Sequence, residues 1–101
     1  MEEVTEYFEQ TFQVKGEIIS RKIAGETLLV PIRGRLADMQ LIFSLNPVAD
    51  YIWKKLDGRN SLSEIRRLVV ETFDVKEDKA ASDIREFIED LLKSDLIAGP
   101  C

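Results

Sequence analysis

The sequence predicts an α+β domain, a three-stranded antiparallel sheet followed by three helices. Three observations predict it. Between Glu17 and Ser44 apolar residues recur with a period of two, the pattern of half-buried strands. Two helix-start signals come next, Asn46-Pro47 and Ser61-Leu62-Ser63-Glu64. From Val48 to Leu92 the apolar residues then recur at helical spacing. Strands first and helices afterwards put the helices on one side of the sheet.

A chain of 101 residues is one domain, with a modest core and little room for a deep substrate cavity. Residues 1–16 are read as an N-terminal arm, 17–97 as the folded domain and 98–101 as a tail. In the arm, Glu2, Glu3, Glu6 and Glu9 alternate with Val4, Tyr7, Phe8 and Phe12. A frayed amphipathic turn and a disordered segment both fit, and the aromatic residues are expected to pack back on the same domain.

Ile18 to Ile23 reads as the first strand, and Ala24-Gly25-Glu26 as a tight hairpin turn in which glycine permits positive φ. Thr27 to Ile32 returns as the second strand, with Leu28, Val30 and Ile32 facing one way. Pro31 cannot donate to a ladder, so pairing should end there or its nitrogen should face away from a partner. After a turn through Arg33-Gly34-Arg35, the third strand runs from Met39 to Ser44, with Met39, Leu41 and Phe43 on the core face. Asn46 then caps a helix that Pro47 opens and Asp57-Gly58 closes, with Val48, Ala49, Ile52, Trp53 and Leu56 as its stripe. Ser61 and Glu64 form a capping box for the second helix, lined by Leu62, Ile65, Leu68, Val69 and Phe73. Asp74 to Asp78 interrupts the period and places acids at the start of the third helix. Its stripe is Ala81, Ile84, Phe87, Ile88, Leu91 and Leu92.

Composition narrows the function. The net charge is −5, from 14 basic and 19 acidic residues, which repels phosphate backbones and speaks against nucleic acid as a partner. No apolar run approaches the ~20 residues that span a bilayer. The acidic start, Met1-Glu2-Glu3, is unlike a signal peptide, so a cytoplasmic protein without a membrane partner is expected. Histidine is absent, which removes the commonest general base and metal ligand. The one cysteine, Cys101, cannot form an internal disulfide. Glu86, Glu89 and Asp90 lie off the apolar stripe and read as a solvated face rather than as paired catalytic carboxylates. No catalytic residue, metal or cofactor is therefore expected. Binding is better supported, because the Met39–Ser44 strand carries no charge and no proline. As an open edge it would accept an extended peptide as a fourth strand; as a central or covered strand it would not.

Leu28-Leu29-Val30-Pro31, Leu45-Asn46, Ile52-Trp53, Asp57-Gly58, Ser61 to Ile65, Asp83-Ile84, Phe87-Ile88 and Leu91 follow one another in an order and spacing that resemble the PqqD-like proteins. These are named for coenzyme PQQ (pyrroloquinoline quinone) synthesis protein D and are also called RiPP recognition elements. The likeness runs from about Ile18 to Ile97, with one departure, Asp95, where the family often has glycine. The resemblance implies a winged helix-turn-helix-like domain that does no chemistry itself. It would bind the leader of a ribosomally made precursor peptide and present that precursor to a modifying enzyme, often a radical SAM protein. It also implies that the leader adds as a strand beside Met39, Gln40, Leu41, Ile42, Phe43 and Ser44. Lys79, Ser82, Asp83, Arg85 and Glu86 would face that leader, with Ile84 and Phe87 on the cleft floor. Arg21, Lys22, Arg33 and Arg35 around the sheet, against the acids of the last helix, would favour a leader with acids toward the sheet and bases toward the helix. Two rival functions use the same fold: a winged-helix DNA-binding protein, disfavoured by the acidic last helix, and a structural subunit that forms a weak homodimer through the same sheet edge.

Overall fold

Two small sheets, rather than one, flank three helices in the computed structural model, which describes residues 7–15, 17–32 and 43–99. The strands are β1 (Thr11–Val14), β2 (Ile18–Ile23), β3 (Glu26–Pro31), β4 (Phe43–Leu45), β5 (Asp57–Ser61) and β6 (Ile97–Ala98). The helices are α1 (Pro47–Lys54), α2 (Leu62–Phe73) and α3 (Glu77–Lys93). The expected antiparallel meander is present in the order β2-β3-β4, and the three helices follow it. A second sheet, β5-β1-β6, was not expected.

The β2–β3 hairpin turns through Ala24 and Gly25, both at positive φ (51° and 83°), the two-residue turn that suits the twist of its strands. Leu28 and Val30 of β3 and Ile32 just after it share one face, as expected, and it is the outer one. Thr27, Leu29 and Pro31 point inward, while Leu28 and Val30 are half-buried and Ile32 is exposed. With apolar residues on both faces, Leu28-Leu29-Val30 has no pattern from which to read its parity. Leu29 pairs with Phe43 and Thr27 with Leu45, so these four residues share the face that packs against α1.

Asn46 caps α1 as expected, its Oδ1 accepting from the Ala49 N–H at 2.8 Å. The helix stops at Lys54, however, before Asp57-Gly58. Lys55 and Leu56 close a tighter turn, donating to the Ile52 and Trp53 carbonyls, and this brings Leu56 into the core. Gly58, at φ 80°, belongs instead to β5, opposite the irregular register of Gln13. The Asp57 carboxylate fixes that bend by accepting from the N–H groups of Arg59 (2.9 Å) and Asn60 (3.1 Å).

Ser61 caps α2 by accepting from the Glu64 N–H at 3.2 Å, but the Glu64 carboxylate pairs with Arg67 at 2.7 Å, so only half of the expected box forms. Asp74, at φ 53°, ends α2, and Val75-Lys76 leads into α3. Ala80, Ile84, Ile88 and Leu91 of α3 are buried, whereas Leu92 is exposed. Asp95 adopts φ 60°, the left-handed conformation that suits the glycine often found there in the family it resembles.

Residues 7–15 pack on the rest of the domain, as expected of their aromatic side chains. Phe8 and Phe12 are buried among Leu62, Ile65, Ile88 and Ile97, and β1 is the central strand of its sheet. Ala98, expected in the tail, pairs with Gln13. Among the described residues, no helix is long and apolar enough to cross a membrane.

Candidate functional site

Within the described residues, β4 pairs only with β3, so its other side forms the edge of the meander. The chain passes directly from β4 through Asn46 into α1, which packs on the sheet face formed by β3 and β4. α3 runs past both, and a depression lies between them. It comprises two contiguous clefts of about 380 and 370 Å3 that share Asn46, Ala49, Phe87 and Asp90. Val48, Ile52, Val75, Lys79, Asp83 and Glu86 complete the first. Phe43, Ser44, Leu45, Lys93 and Ser94 complete the second, against β4.

The two walls differ in charge. The β4–α1 wall, from Phe43 through Asn46 to Ile52, carries no charged side chain at the clefts. Every charge is on α3: Lys79, Asp83, Glu86, Asp90 and Lys93. Lys79 is paired with Asp83 at 3.4 Å. Among the described residues, Glu86 and Asp90 have no cationic partner. An apolar floor with acids along one rim suits an extended, weakly polar chain rather than a small anion. Among the described residues, no three His, Cys, Asp or Glu side chains come together as metal ligands.

The expected site residues divide into four groups. Phe43, Ser44, Lys79, Asp83, Glu86 and Phe87 all line the clefts. Ile84 does not, because it is fully buried in the core between Ala80 and Ile88. Ser82 and Arg85 face the other flank of α3, where they line a separate cavity with Phe8 and Ala81. There the Arg85 guanidinium lies 4.9 Å from the centre of the Tyr7 ring. Met39, Gln40, Leu41 and Ile42 lie outside the described residues. So do Arg33 and Arg35, while Arg21 and Lys22 belong to β2, on the far side of the meander from the cleft. Leu45, Asn46, Val48, Ala49, Ile52, Val75, Asp90, Lys93 and Ser94 were missed. The spacing of Lys79, Asp83, Glu86 and Asp90, at successive intervals of four, three and four, places them on one helical face and could have identified Asp90.

The sequence model of a family described as Coenzyme PQQ synthesis protein D (PqqD) matches residues 26–97. No curated protein matches the chain. Among solved structures, TbiB1 in complex with the TbiA(beta) leader peptide is similar, with a TM-score of 0.69 and 21% sequence identity over 88% of this chain and 98% of that one.

Proposed function

The chain belongs to the coenzyme PQQ synthesis protein D family, and from that premise we propose that it is a non-catalytic adaptor for a ribosomally made precursor peptide. The leader of the precursor adds to the edge of β4, continuing along Met39 to Ile42, and lies in the cleft against α3. The adaptor then presents the rest of the precursor to a modifying enzyme, a radical SAM protein. The observation that carries this reading is the coincidence of a sheet edge with a cleft along the same strand. Backbone pairing supplies affinity with little demand on sequence, and the cleft supplies selection. The similarity in fold to TbiB1, whose structure holds a leader peptide, supports it.

The test uses a synthetic leader from a short precursor reading frame beside the gene, titrated calorimetrically into the full-length protein. Ala49→Arg, which fills the junction of the two clefts, is expected to weaken binding at least about tenfold, with an unchanged circular dichroism spectrum. Equal affinity for the wild type and the variant would refute binding in the cleft.

A further inference from the structure

Resting on the adaptor reading, we propose that the captured segment carries a lysine or arginine within two residues of an aliphatic or aromatic anchor. The base lies against Glu86 and Asp90, and the anchor against Phe87 and Ala49. An acidic segment would be rejected.

The argument begins with what the cleft leaves unsatisfied. Lys79 neutralises Asp83 at 3.4 Å, and the β4–α1 wall contributes no charge. The carboxylates of Glu86 and Asp90 therefore face the occupant one helical turn apart, without a cationic partner among the described residues. A base on the occupant would meet both, and an acid would meet two like charges beside an apolar floor, where screening is weaker than in open solvent. Arg21 and Lys22, which might have offset this by attracting acids, lie on β2 across the meander.

Spacing gives the second part. Alternate residues of an extended chain are about 6.6 Å apart, and one turn of helix advances about 6 Å over four residues. In a strand lying along α3, alternate side chains therefore meet successive turns. Phe87 itself lies between Glu86 and Asp90 along the axis, about 1.5 Å from the level of one and about 4.5 Å from that of the other, so an anchor on the shared floor and a base within two residues of it reach the same turn. Lys93, at the β4 end of the second cleft, is where an acid on the same segment would be tolerated.

The test is a display library of random dodecapeptides selected on the full-length protein, with Glu86→Lys/Asp90→Lys, Ala49→Arg and Phe87→Ala variants that keep the wild-type circular dichroism spectrum. Support consists of cleft-dependent binders enriched in Lys or Arg within two residues of an apolar residue. These should bind the charge-reversed variant about tenfold more weakly, and selection on that variant should turn to Asp or Glu. Binders that are lost with Ala49→Arg or Phe87→Ala but show no basic enrichment, or that bind the charge-reversed variant equally well, would overturn the inference and leave the adaptor reading standing. A selection that yields no binders, or only binders indifferent to both cleft variants, would overturn the two together.

Discussion

At the scale of single residues, Asp50 is a buried charge that links α1, one wall of the cleft, to β3. It is 7% exposed, pairs with Lys54 at 3.0 Å and hydrogen-bonds the side chain of the buried Thr27, joining α1 to β3. Burial pushes its pKa up, but hydrogen bonds from Lys54 and Thr27, with the charges of Lys54 and Lys22, outweigh this and hold it below the ordinary value. A depressed folded-state pKa gives stability that is full above the unfolded value of about 3.9 and is lost as pH falls through the folded value. Asp50→Asn should therefore cost about 1–2 kcal/mol at pH 7, read by urea unfolding, and the gap should narrow below about pH 4. A gap of equal size at pH 7 and pH 3 would show that the charge is not what joins the two elements. The sequence shows Asp50 only as an acid in a first helical turn, because its partner Thr27 comes from a strand much earlier in the chain. Asp95 was noted in the sequence only as a departure from the family. A position where glycine is common points to a left-handed backbone, and φ is 60° there.

At the scale of elements, the helices were legible because their signals are local. Asn46-Pro47 and Ser61 cap α1 and α2 where expected, since a capping side chain serves N–H groups only two or three residues ahead. Ser61→Ala should cost about 1 kcal/mol and lower the melting temperature by about 4–8 °C, measured by thermal circular dichroism. An unchanged melting temperature would mean that pairing of Ser61 with Thr11, rather than its hydroxyl, fixes the start of α2. Strand facing was less legible. The inward side of β3 depends on where α1 packs, and nothing in Leu28-Leu29-Val30 records that. The end of α1 was misread for a similar reason: burial of Leu56 stops the helix before the glycine that seemed to close it.

At the scale of the whole molecule, the β5-β1-β6 sheet ties the two ends of the described chain together. A domain cut at residue 17 would lose the central strand β1 together with Phe8 and Phe12, which are 3% and 2% exposed. Burial of each phenylalanine contributes about 1.5–3 kcal/mol, against a total stability of about 5–15 kcal/mol for a domain. A chain beginning at Glu17 should therefore lose cooperative thermal unfolding, and a sharp, near-wild-type melt would show that the second sheet is dispensable. The candidate site was half legible. The sequence alone determined the meander and the three helices, because periodicity and capping act over a few residues, whereas Lys79, Asp83 and Glu86 came from the family resemblance, which grouped them with Ser82 and Arg85. Only the tertiary structure decided that Ile84 is core, that Ser82 and Arg85 face away, and that Asn46 and Ala49 form the opposite wall. Those outcomes depend on how α3 is rotated against α1 and α2, and that rotation is chosen by packing between segments far apart in the chain.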